Sequence, residues 1–102
     1  VDVGVVVSDS FGRPWRLGIT DIALGISGFA PLADLRGEVD TEGRQMHATV
    51  VAIADELAST AELASGKTSR RPAVLIRGAR LPAGAGSVAG DVVMPVEQDL
   101  FR

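Results

Sequence analysis

The run Val3-Gly4-Val5-Val6-Val7 leaves this chain little conformational choice. β-Branched side chains are stiff at χ1 and pack well on a pleated surface, so residues 3–7 read as a buried strand. The run passes directly into Ser8-Asp9-Ser10-Phe11-Gly12-Arg13-Pro14-Trp15-Arg16. That sequence predicts a loop over residues 8–18, carrying an acid, hydroxyls, two arginines and the only tryptophan. Side chains that leave a rigid sheet at a strand end are well placed to meet a ligand.

The rest of the chain alternates strand and helix signals. Residues 19–29 carry a loose period of two, with Ile22, Leu24 and Ile26 on one side and Ala23, Gly25 and Ser27 on the other, which predicts a second strand. Residues 31–45 are polar and punctuated by glycine, as expected of a long loop. Val50, Ile53, Ala54, Leu57, Ala61 and Ala64 recur at three- and four-residue steps. They predict a helix over residues 47–65, starting near His47 or Thr49, with Gly66 as its left-handed C-terminal cap. A basic loop follows at residues 67–71. Residues 73–77 read as another apolar strand, 80–90 as a mobile connector, and 91–96 as a short edge strand limited by Pro95. The fold class expected is α+β, a mixed or antiparallel sheet with one main helix.

Composition narrows the function. The chain has 102 residues, 46% hydrophobic but only 4% aromatic, so one domain with an aliphatic core is expected. A net charge of −3 argues against nonspecific nucleic-acid binding. The absence of cysteine removes thiolate zinc sites and disulfides and is consistent with a reducing, cytoplasmic setting. No apolar run approaches the length that spans a bilayer. Val1 stands two residues before a strand, and the apolar pair Leu100-Phe101 calls for something to pack against. The expectation is a piece of a larger protein; the alternative is a trimmed small domain.

Asp9 and Ser10 carry the first chemical reading. A carboxylate and a hydroxyl at a strand end can share a hard cation such as magnesium, or can simply stabilise a turn. Arg13 and Arg16 present forks suited to phosphate or carboxylate, or to a structural ion pair beside a core Trp15. Asp34, Asp40 and Glu42 suit acid–base work or a solvated charged loop. Asp21, in an apolar strand, needs a partner, and Arg13 or Arg16 is the candidate. His47 has no second histidine at ligand spacing. Residues 66–71 resemble a phosphate loop in composition only, since no GxxxxGK[ST] element is present.

The nine residues 8–16 closely resemble the signature of the coenzyme F-420:L-glutamate ligases. Thr20-Asp21-Ile22-Ala23-Leu24-Gly25, Leu35-Arg36-Gly37 with Asp40 and Gly43-Arg44, and Ala54-Asp55-Glu56-Leu57-Ala58 extend the resemblance. Ala61-Glu62-Leu63, Gly66-Lys67, Pro72, Arg77-Gly78 and Asp99-Leu100-Phe101-Arg102 continue it to the end of the chain.

The resemblance implies a GTP-dependent enzyme with magnesium or manganese. Such an enzyme activates the carboxylate of the coenzyme F-420 precursor as an acyl phosphate, and the amino group of L-glutamate then attacks. It also implies a homodimer and a larger two-lobed fold, of which residues 1–102 are one piece lacking the N-terminal part. Asp9 and Ser10 then correspond to metal ligands, and Gly66, Lys67, Thr68 and Ser69 to a nucleotide-contacting loop. Arg13, Arg16, Asp21, Asp40 and Arg44 become phosphate or substrate candidates. Some members carry Gln, a ligand of the second metal, where this chain has Lys67, and a protonated ammonium cannot ligate a cation. No catalytic residue is assigned, and the piece is expected to be inactive alone. The competing readings are a noncatalytic binding or dimerisation module of the same fold, and a metal phosphatase or nuclease built on Asp9 and Asp40.

Overall fold

The structure is a computed structural model that describes residues 3–68 and 70–99. Its centre is an antiparallel hairpin of β1 (Val5–Arg13) and β2 (Arg16–Ser27). A second, two-residue pair joins β3 (Ala33–Asp34) to β4 (Val50–Val51). One α-helix, α1 (Ile53–Ser65), packs on the hairpin. A π-helical turn at Val88–Val92 and a 3-10 turn at Val96–Gln98 complete the elements. The architecture is α+β with antiparallel pairing, as the sequence predicts.

The signature stretch is not a loop. Ser8 to Arg13 continues β1, Pro14 and Trp15 make the turn, and Arg16 starts β2. Asp9 pairs with Ile22, Ser10 with Asp21 and Phe11 with Thr20. Backbone pairing carries these polar residues into the sheet although their side chains lack an apolar alternation. Register shifts at Val7/Ser8 and Gly12/Arg13 let β2 accommodate extra residues, among them Leu24 and Gly18. Gly18 takes φ 88°, which favours glycine there.

Alternation along β1 sorts its side chains. Val6 packs toward the core, and Ser8 and Ser10 share its face. Val5, Val7, Asp9 and Phe11 take the other face and are exposed. The core is small and mostly aliphatic, with one aromatic member: Ala23, Phe29, Ala54 and Val88 cluster, and Val6, Ile26, Ile53 and Leu57 pack against them. Alanines at the contact bring α1 close to β2. That closeness lets helix side chains reach the backbone of the strand. Asp55 Oδ1 accepts the Ala23 N–H at 2.9 Å, and Ser59 Oγ donates to the Asp21 carbonyl at 2.8 Å. Asp55 and Ser59 lie one helical turn apart, and their partners lie two residues apart on β2.

Three further expectations are corrected. The helix starts at Ile53, not near 47, because Val50-Val51 pairs with β3, and Ala52 caps it without a side-chain hydrogen bond. Residues 73–77 form no strand: no described strand lies alongside to take their backbone groups, and Leu75 is exposed. Residues 91–96 are not a strand either. Ser87 Oγ accepts the Gly90 N–H and Asp91 accepts the Ser87 N–H, which winds that segment into a turn. The same turn ends the expected connector at 80–90, whose Val88 is buried in the core. Gly66 ends the helix as expected and its N–H reaches the Glu62 carbonyl at 2.7 Å, but with φ 71° and ψ 172° it is extended past the turn and is not the left-handed helical cap expected. No helix of the described residues is long and apolar enough to cross a membrane.

Candidate functional site

The hairpin and the end of α1 meet at one polar cluster. Register sets Ser10 directly across from Asp21 on the face of β1 and β2 that carries α1. Gly66 turns the chain back at the end of the helix and delivers Lys67 to the same point. Lys67 Nζ donates to Ser10 Oγ at 2.7 Å and to Asp21 Oδ1 at 2.5 Å. Ser10 Oγ in turn lies 3.4 Å from Asp21 Oδ1. The hydrogen bond that Lys67 donates to Asp21 holds its ammonium above the ordinary lysine range, overcoming the opposite pull of desolvation; the charges of Asp21, Glu62 and Asp9 act in the same direction. Asp21 therefore has a cationic partner, but it is Lys67 and not Arg13 or Arg16.

Asp9 and Ser10 diverge. Adjacent residues of a strand point to opposite faces, and Asp9 lies exposed with its Oδ1 accepting the Ser10 N–H at 2.7 Å. Its second oxygen suits one ligand position of a hard cation. The Ser10 hydroxyl is already engaged by Lys67. Among the described residues no three His, Cys, Asp or Glu side chains gather to hold a metal ion. Among the described residues, Asp9 thus offers an open carboxylate oxygen to a divalent cation, whereas the Ser10 hydroxyl is taken by the Lys67 ammonium.

The two arginines stand at the hairpin tip. Arg13 and Arg16 face each other in register across the Pro14–Trp15 turn. Like charges directly opposite on a hairpin are unfavourable unless an anion lies between them. Arg13 Nη2 also donates to the Leu17 carbonyl at 2.9 Å, which fixes its stem. Trp15 is 89% exposed and takes φ 57°, so it is no core residue. From the tip, a shallow groove of about 500 Å³ runs between β2 and α1, lined in part by Arg13, Thr20, Asp21, Asp55, Ser59 and Thr60.

The remaining candidates fall elsewhere. Asp40 Oδ1 accepts the N–H groups of Glu42 and Arg44 at 2.9 Å each, so this carboxylate organises its own loop. Arg44 contributes its backbone there. Asp34 forms a fork with Arg36, at 2.9 and 2.5 Å, and the guanidinium lowers its pKa to about 2. Gly66 and Thr68 flank Lys67; Ser69 and the last residues of the closing motif lie outside the described residues. Asp55 and Ser59, which hold β2 beside the cluster, escaped sequence reasoning. Their only signal was a polar pair four apart on a helix otherwise rich in alanine.

The fold is thus an α+β hairpin that carries paired arginines at its tip and receives a lysine from beyond a glycine-ended helix. The chain belongs to the F420-0:gamma-glutamyl ligase family, whose pattern its residues 1–78 match. The coenzyme F420:L-glutamate ligase of Methanocaldococcus jannaschii is 50% identical over 101 residues, covering 98% of this chain and 40% of that protein. That of Methanococcus maripaludis (strain C7) is 42% identical over 102 residues, covering 99% and 41%. That of Methanopyrus kandleri is 49% identical over 79 residues, covering 76% and 31%. The chain spans about 40% of the length of the first two relatives.

Proposed function

We propose that this chain supplies one part of the active site of a ligase that adds L-glutamate to the coenzyme F-420 precursor, with GTP as the phosphoryl donor. The observation that carries the reading is the meeting of Lys67 with Ser10 and Asp21 inside the family's signature hairpin. In the proposed reaction the precursor carboxylate attacks the γ-phosphorus of GTP, and GDP leaves. The amino group of L-glutamate then attacks the acyl phosphate, phosphate leaves with the bonding pair, and the amide nitrogen loses a proton.

Both steps bring anions together, so the protein must offset charge where it develops. Lys67 has three N–H donors and gives two to Ser10 and Asp21, which aims the third at an incoming phosphate oxygen. Arg13 and Arg16 form a fork-bearing pair for a second anionic group. Asp9 is the residue of this chain that would hold magnesium or manganese, and the ion would polarise phosphate oxygens when bound. Gly66 and Thr68 belong to the nucleotide-contacting turn. A cytoplasmic homodimer completes the proposal.

Calorimetry with GTP and manganese tests it. Binding that Asp9→Ala abolishes supports a retained nucleotide site. Absence of binding favours a noncatalytic module, whose natural surface is the exposed apolar face of Val5, Val7 and Phe11. Incubated alone with GTP, magnesium, glutamate and precursor, the 102-residue chain is expected to show no turnover, because it spans about 40% of its relatives.

A further inference from the structure

We propose that the Lys67 ammonium is a built-in cation for the Ser10–Asp21 pair and keeps a divalent ion out of that seat. This goes beyond the ligase reading and does not rest on it.

The geometry is that of a cation held by oxygen donors. Nζ is 2.7 Å from a hydroxyl and 2.5 Å from a carboxylate oxygen, and those two oxygens lie 3.4 Å apart. A hydroxyl and a carboxylate are the donors that hard divalent ions prefer. Asp21 is mostly shielded, with its side chain 13% exposed, so its charge needs a partner in place. The lysine supplies that charge from within the chain, at no cost in translational freedom. Its place in the chain brings it there, since Gly66 at the end of α1 carries a φ of 71° and residue 67 follows directly. Two further acidic groups act on the ammonium, Asp9 on β1 and Glu62 on α1, and both favour a cation there. With the ammonium present, a divalent ion at the same oxygens would meet like charge at contact distance.

The consequence is a switch in cation dependence at position 67. A neutral polar side chain there leaves Ser10 Oγ and Asp21 Oδ1 open and adds an amide oxygen as a further ligand. The test titrates the protein with Mn²⁺ alone and follows free Mn²⁺ by electron paramagnetic resonance. Lys67→Gln is expected to bind one more equivalent of Mn²⁺ than the parent, or to bind at least tenfold more tightly. Lys67→Arg retains a cation and is expected to match the parent. Adding Asp21→Asn to Lys67→Gln is expected to remove the gain. Lys67→Ala is measured alongside, and circular dichroism of the helix verifies folding, so loss of one variant leaves the other to decide. An unchanged Mn²⁺ isotherm in the folded neutral variants overturns the proposal, as does a gain that survives Asp21→Asn. Either result leaves the ligase reading standing, because that reading is judged by GTP binding and turnover.

Discussion

Lys67 Nζ and Asp21 Oδ1 meet at 2.5 Å across 46 residues of sequence, joining the turn after α1 to the middle of β2. The lysine pKa is raised by this contact above its ordinary 10.5. A group raised in the folded state stabilises fully below its ordinary pKa and loses that contribution as pH climbs through the raised value. The unfolding midpoint is therefore expected to hold level from neutral pH to about pH 9 as far as this pair is concerned, and to fall only in stronger alkali. Lys67→Met should flatten that alkaline limb. Urea denaturation at a series of pH values checks it, and identical alkaline slopes for parent and variant would refute the coupling.

Asp34 titrates at the opposite end of the scale. Arg36 holds its carboxyl at about 2, below its ordinary 3.8. A depressed carboxyl contributes above its ordinary pKa and loses that contribution as pH falls through the folded value. Carbon-detected NMR should place the Asp34 midpoint near 2, and Arg36→Ala should return it toward 3.8. Because the pair is exposed, global stability should barely change with the substitution.

Asp55→Ala removes the acceptor for the Ala23 N–H while Ala23 stays 2% exposed. A buried donor left without a partner costs about 1–3 kcal/mol. Thermal denaturation should show a loss of that size, and Asp55→Asn, which keeps an acceptor oxygen, should lose less.

Trp15 sits at φ 57° in the hairpin turn, a region that costs a non-glycine residue ~1–3 kcal/mol. Asparagine tolerates that conformation. Relief of that strain in Trp15→Asn should raise the unfolding free energy by roughly 1 kcal/mol at most, a gain reduced by the loss of the indole's own interaction. If the strain serves the site, the same variant should weaken GTP binding. Lower stability in Trp15→Asn would show that the indole holds the turn in place.

Much of this was legible in the chain. The valine run and the period of two in residues 19–29 marked both hairpin strands. The alanine stripe marked the helix, and its C-terminal end was set by Gly66. The hairpin itself was hidden because residues 8–13 pair through backbone, with one face solvent-exposed and no apolar alternation to reveal it. The helix start was hidden because Val50, read as part of the stripe, joins Val51 in a strand paired with Ala33–Asp34. No capping side chain at Ala52 signals the true start. At the site, residue chemistry pointed to Ser10, Asp21 and Lys67 separately. Only the fold pairs them, since contacts at separations of 46 and 57 residues leave no local pattern.

The bonds from Asp55 and Ser59 to β2 have a consequence for how the hairpin can grow. A strand margin with open N–H and C=O groups is a template for any extended chain. On β2 the helix has already answered those groups with side-chain oxygens at Ala23 and Asp21. A further strand, whether from another segment, a peptide or a second copy, would have to break those bonds to dock there. Sheet extension is thereby directed to the outer margin of β1, beside which no second strand lies among the described residues.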